Sequence, residues 1–213
     1  MKLTEIMVYN NFFLRAILSI FFLLIYIAVC FYNFNYIFYL IILVYLLILT
    51  EIILYFKKNQ FLIILYLFFS FFFTLTIDFS NSNIFNFSLM IIIIISFDIF
   101  SYLIGGKYGK SRLIKISPNK TIEGLIGGIL FSFILSLIFS IFYEIQITLS
   151  LIFFIILIII FSFIGDIVES KFKRINNLKN SSNMLPGHGG FFDRFDSFVL
   201  SIIPYSILNN FLL

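Results

Sequence analysis

Between Gly165 and Asp196 the chain sets four carboxylates, Asp166, Glu169, Asp193 and Asp196, among the cations Lys173, Arg174, Lys179 and Arg194. Its single histidine, His188, stands between Pro186-Gly187 and Gly189-Gly190. Hard oxygen ligands of this kind suit Mg²⁺, which takes one or two protein carboxylates and completes its shell with water and substrate phosphate. Adjacent Lys and Arg would hold the phosphates that the metal does not. Asp193 and Asp196 are three residues apart, so a helix beginning near them would place both on one face. The glycines flanking His188 allow backbone to approach a ligand closely. The histidine itself reads either as a loop residue or as a ligand contact.

A second polar stretch lies upstream. It runs from Asp98 and Tyr102 through Gly105, Gly106 and Gly109 to Lys110, Arg112 and Lys115, then Ser117-Pro118-Asn119-Lys120-Thr121 and Glu123-Gly124. Either Ser117 or Thr121 can cap the next helix, and a helix N-terminus beside Lys120 is an anion site into which phosphate would fit. The same stretch also reads as a flexible loop whose cations touch anionic lipid. Gly124 and Gly128 form a small-xxx-small pair, expected to let a neighbouring helix approach. Asp98 falls inside an apolar run, where an ionised carboxylate must face the bundle interior or a hydrated cavity. Glu51 lies one turn before Phe56 and Lys57 and is expected to snorkel toward the lysines.

The elements that must position these residues are set by composition. Of 213 residues, 62% are hydrophobic and 11% charged, which excludes a water-soluble fold because too little polar surface remains to cover one. The one cysteine, Cys30, excludes an intrachain disulfide and a cysteine-based metal cluster. A span needs about 20 mostly apolar residues. Seven are read: Phe12–Phe31, Tyr36–Phe56, Phe61–Ile77, Ile84–Leu103, Thr121–Tyr143, Ile147–Ile164 and Phe195–Leu213, the last carrying Pro204. The predicted fold is an all-α, polytopic transmembrane helix bundle forming a single membrane domain over residues 1–213. No alternation of the kind a barrel strand needs is present.

Lys2 precedes the first span and Arg15 stands in its opening turn, before the apolar run that begins at Ala16; Lys57-Lys58 follow the second, Lys107–Lys120 the fourth and Lys171–Arg194 the sixth. With seven spans all 14 basic residues fall on one side, which predicts a cytoplasmic N-terminus and a site built from cytoplasmic loops. The N-terminal apolar run lacks an A-x-A-like cleavage site and is kept as an anchor.

At these residues the sequence resembles the phosphatidate cytidylyltransferase family, also called CDP-diacylglycerol synthases. The later block, residues 166–197, matches the family signature through Ser170, Lys173-Arg174, Lys179, Pro186-Gly187-His188-Gly189-Gly190, and Asp193-Arg194-Phe195-Asp196. The earlier block, residues 98–124, matches through Asp98, Tyr102, Ser117, Pro118, Lys120, Thr121, Glu123 and Gly124. Two blocks in the right order make chance a poor explanation. One position departs: the family's Lys-Asp pair reads Lys179-Asn180. An amide can ligate through its oxygen but supplies no charge and no base.

The resemblance implies an enzyme of phospholipid biosynthesis in the cell (inner) membrane, with its site facing the cytoplasm. Cytidylyl transfer from CTP to phosphatidate would give CDP-diacylglycerol and pyrophosphate, supported by Mg²⁺ as one ion or two. It implies metal ligation by Asp166 and Asp193, with Asp196 a third candidate. Lys173, Arg174, Lys179, Arg194 and Lys120 are then the phosphate binders, and His188 binds phosphate or orders the loop. Ser117, Thr121, Gly189 and Gly190 are expected against the nucleotide. CTP, phosphatidate and membrane lipid are the expected partners, with a homodimer implied and no nucleic acid. The alternatives are a CTP-dependent transferase acting on another lipid, or a non-catalytic transporter or scaffold.

Overall fold

A computed structural model describes residues 20–114, 117–185 and 189–212, with the side chains of 118, 119 and 210–212 outside the description. Seven helices follow one another: α1 (Ile20–Tyr32), α2 (Ile37–Tyr55), α3 (Gln60–Leu75), α4 (Ile84–Tyr108), α5 (Ile122–Phe142), α6 (Leu149–Ile175) and α7 (Phe192–Leu212). The expected span Phe12–Phe31 lies partly outside the described residues; α1 is its described part. Helices are what apolar chain must form in lipid, because only they satisfy every backbone group within one segment. The segments containing α2, α4, α5 and α6 are long and apolar enough to cross a membrane, whereas α1 and α3 are shorter apolar helices.

Local signals fix the ends. Asn33 Oδ1 accepts from the Asn35 amide at 3.0 Å and starts the 3₁₀ turn Phe34–Tyr36 that reverses the chain into α2. Thr148 caps α6 through the Leu151 amide at 3.2 Å. Of the two residues expected to open α5, Thr121 takes the role, accepting from the Gly124 amide at 3.1 Å.

Three boundaries differ appreciably from the sequence expectation, the first being α4, which runs to Tyr108 where the span was expected to end at Leu103. The sixth span was expected to end at Ile164 and give way to a cytoplasmic segment, but α6 continues to Ile175. At 1.5 Å per residue its 27 residues extend about 40 Å, beyond a hydrocarbon core of about 30 Å. Hydropathy ends where the lipid ends, whereas helix continues as long as its side chains allow; here Glu169 and Lys173 pair at i, i+4, 2.7 Å apart, across the polar turns. Likewise α7 begins at Phe192, so Asp193 and Arg194 lie on its first turn. The helix continues through Pro204. A further difference is a small antiparallel ribbon, β1 (Arg112–Ile114) and β2 (Ser117–Thr121), in what read as an irregular loop.

The most extensive helix contacts are α4 with α5 and α6 with α7; α7 also packs on α3 and α4. The α4–α5 seam is made by small residues every fourth position on α5: Gly124, Gly128, Ser132, Ser136 and Ser140, all buried. A Cβ at Gly124 would come 2.6 Å from the Ser101 carbonyl oxygen, so the expected small-residue approach is real and extends along the whole helix. Buried Val199, Ile202 and Tyr205 place α7 in the core, where Asn209 Oδ1 accepts from Asn86 Nδ2 of α4 at 3.0 Å.

One end of the bundle collects the polar segments. Asn176, just after α6, accepts from the Lys58 amide at 2.6 Å and donates to the Lys58 carbonyl at 3.1 Å. Lys120 on β2 pairs with Asp166 on α6. The C-terminal ends of α2, α4 and α6 and the N-terminal ends of α3, α5 and α7 therefore share one side of the molecule.

Candidate functional site

The site lies at that end, between β2, the last turns of α6 and the start of α7. Asp166 points from α6 toward the ribbon, where the Lys120 ammonium meets it; the side chains are 29% and 20% exposed, but the ammonium nitrogen itself is buried. Lys120 Nζ also lies 5.6 Å from the Phe163 ring centre, one turn back on α6. Asp98 on α4 is exposed, and close enough to Asp166, Lys120 and Arg194 for their charges to act on it.

Asp196 is 8% exposed and accepts from the Ser197 amide at 2.7 Å. The charges of Asp166 and Asp98 act on it, so three carboxylates from α4, α6 and α7 form one electrostatic group, with Lys120 opposite. Gly165 makes the approach of α6 and α7 possible here, since a Cβ would come 2.6 Å from the Asp196 carbonyl oxygen.

A second group lies beside it. Lys173 Nζ is 2.7 Å from both Glu169 Oε2 and Asp193 Oδ1. Asp193 Oδ2 accepts from the Ser181 amide at 2.8 Å and the Gly190 amide at 3.0 Å. Asp193 precedes the apolar part of α7. The Lys173 ammonium and the two backbone amides compensate its carboxylate charge at this partly buried position.

The paired glycines have separate structural reasons. Gly189 has φ +86°, and a Cβ there would lie 2.5 Å from Asp193 Oδ2. Gly190 has no room for a side chain because Ser181 Oγ and the Glu51 carboxylate occupy the space. Leu185 donates to the Gly189 carbonyl at 2.8 Å and closes the loop on itself.

Glu51 is where sequence reasoning failed. Snorkelling toward Lys57 and Lys58 was expected, yet Glu51 is 0% exposed. It accepts from Ser182 Oγ at 2.6 Å, Ser181 Oγ at 3.2 Å, the Phe191 amide at 2.7 Å and the Phe192 amide at 2.9 Å. The available signal was the rule that an ionisable residue within an apolar helix has a specific partner; the nearby lysines offered a simpler answer. Ser181 and Ser182 were missed with it.

The remaining expected residues divide by position. Arg174 donates to the Leu178 carbonyl at 3.1 Å and closes the turn after α6. Lys179 and Arg194 are exposed at the same end. Ser117 is partly buried on β2, and Thr121 is engaged as the α5 cap. Glu123 accepts from the Lys110 amide at 3.1 Å and the Ser111 amide at 3.3 Å, tying the ribbon to α5. His188 lies outside the described residues.

Among the described residues no three Asp, Glu, His or Cys side chains converge as a ready cation cage. Mg²⁺ asks for less, since one or two carboxylates suffice when substrate phosphates complete the shell. Asp166 fits that requirement: it is a partly exposed carboxylate already facing a positive charge. Asp193 has both oxygens engaged by Lys173 and backbone amides, and Asp196 is nearly covered.

Residues 2–212 match the model of a family described as the cytidylyltransferase family. The chain belongs to that family. Among curated relatives, it is 38% identical over 116 residues to a Bacillus subtilis protein named phosphatidate cytidylyltransferase, across 54% of this chain and 43% of the relative. A Staphylococcus haemolyticus protein of the same name is 40% identical over 113 residues, across 52% of this chain and 44% of the relative. A Staphylococcus aureus protein so named gives the same figures. In each case less than half of the relative's length is matched. In this family member, the two polar stretches separated by more than forty residues of sequence meet in space through Lys120 and Asp166.

Proposed function

We propose that this chain transfers the cytidylyl group of CTP to phosphatidate. A phosphate oxygen of phosphatidate attacks the α-phosphorus of CTP, the bond to the β-phosphate breaks, and pyrophosphate leaves. The observation that carries the reading is the junction of the two family blocks, Lys120 against Asp166 beside the Lys173–Asp193 pair, at one polar end of an apolar bundle. Such transfer needs two anionic phosphates brought together and their charge neutralised, a task of positioning and electrostatics without a covalent intermediate.

In this reading Asp166 would hold Mg²⁺, with Asp98, Asp193 and Asp196 grouped around it. The metal, as one ion or two, supplies charge neutralisation on the transferring phosphate. Lys120, paired with Asp166, would be placed to meet a substrate phosphate. Exposed Lys179 and Arg194 meet the triphosphate from solvent. Lys173 keeps Asp193 in place.

The same reading makes all seven helices spans of a bacterial inner membrane, with the N-terminus and the polar end cytoplasmic. Support comes from the placement of Lys and Arg. CTP then reaches the site from the cytoplasm and phosphatidate from the leaflet.

The test is conversion of labelled CTP to CDP-diacylglycerol by purified protein in phosphatidate-containing micelles, with and without Mg²⁺, for wild type, Asp193→Ala and Asn180→Asp. Metal-dependent product that vanishes in Asp193→Ala is the expected result. Turnover only in Asn180→Asp would mark a decayed enzyme, and absence of product from every form would overturn the reading.

A further inference from the structure

We infer that Glu51 is a positioning residue that clamps the Ser181–Phe192 segment and, through it, sets Asp193. Nothing in the two family blocks includes it, because it comes from α2. Its carboxylate is fully buried and its two oxygens divide four donors: Ser182 Oγ and the Phe191 amide on Oε1, Ser181 Oγ and the Phe192 amide on Oε2.

The four donors come from the two ends of the segment. Ser181 and Ser182 begin it; Phe191 and Phe192 end it and open α7. One side chain therefore closes the segment at both ends. The Phe191 and Phe192 amides are at the start of α7, where backbone N–H groups lack intrahelical partners and the helix dipole favours an anion. Glu51 takes this anion site, so the α7 N-terminus is not where a nucleotide phosphate is bound.

The connection to Asp193 is short. Ser181, whose hydroxyl donates to Glu51, donates its amide to Asp193 Oδ2; Gly190, which packs on Glu51 without a Cβ, donates to the same oxygen. Releasing Glu51 frees both amides that orient Asp193. Gln at this position would keep the shape but turn an NH₂ group toward a backbone N–H that cannot accept.

The inference rests on the proposed reaction only for its kinetic arm. Residue-resolved amide exchange on the purified full chain in micelles compares wild type with Glu51→Gln and Glu51→Asp, with cytidylyl transfer measured in parallel. In Glu51→Gln, exchange at Phe191, Phe192, Ser181 and Gly190 is expected to rise at least tenfold while α4 and α5 keep their protection. Glu51→Asp, which keeps the charge on a shorter arm, falls between. The kcat of Glu51→Gln drops at least tenfold with little change in KM for phosphatidate.

Wild-type protection at Ser181 and Gly190 in Glu51→Gln overturns the clamp, as does a rise spread over all helices, which would make Glu51 a general packing residue. If Glu51→Gln does not fold, the Ser181→Ala, Ser182→Ala double variant, which removes two donors and leaves the charge, is read by the same criteria. A wild type without cytidylyl transfer removes the proposed function, and the exchange arm still decides the clamp.

Discussion

Lys120, the last basic residue of the ribbon, pairs with Asp166 on α6, and this contact joins the two polar stretches into one site. The Lys120 ammonium nitrogen is buried, whereas Asp166 keeps access to water, so a lysine truncation leaves a carboxylate that solvent can still reach. Lys120→Ala is expected to lower kcat/KM by about 100-fold, the size of losing one preorganised charge at a transferring group, or ~2.7 kcal/mol. Thermal unfolding should be nearly unchanged. A variant with wild-type kcat/KM would remove Lys120 from the site.

Asp193 is less exposed and holds three groups at once. Asp193→Ala leaves Lys173 with Glu169 alone and two amides without their acceptor, which should cost about 3 kcal/mol of stability. Chemical denaturation in micelles measures it. A loss below about 1 kcal/mol would contradict Asp193's role as the acceptor of three donors.

Gly190→Ala places a methyl group into Ser181 Oγ and the Glu51 carboxylate. Overpacking of this kind costs about 1–3 kcal/mol. Ser181→Ala removes one of the two clashes, so the double variant should be more stable than the sum of the single changes, a coupling that a double-mutant cycle reads directly. Additivity would mean that the two residues do not meet.

The α4–α5 seam predicts a graded series. Gly124→Ala meets backbone at Ser101, which cannot rotate away, and should cost about 1–3 kcal/mol. Gly106→Ala, with nothing within 4 Å of its added carbon, should be neutral or slightly stabilising in the helix. Thermal unfolding of the two variants checks the order.

The sequence by itself determined the bundle and much of the site's membership. Apolar runs of span length can only be helices in lipid, so all seven expected segments contain a helix within the described residues. The two polar blocks declared themselves because charge is rare in such a chain, and Thr121 and Gly124–Gly128 carried readable capping and packing signals. Tertiary structure decided which partners these groups take. Hydropathy could not see that α6 continues past Ile164, because a polar turn stabilised by Glu169–Lys173 is as helical as an apolar one. Nor could spacing along the chain reveal that Lys173 faces Asp193, or that Glu51 turns away from two nearby lysines toward Ser181, Ser182, Phe191 and Phe192. Charge attraction in sequence is a matter of neighbours, whereas a buried carboxylate goes where several hydrogen-bond donors converge, and that convergence exists only once α2 and α7 have packed together.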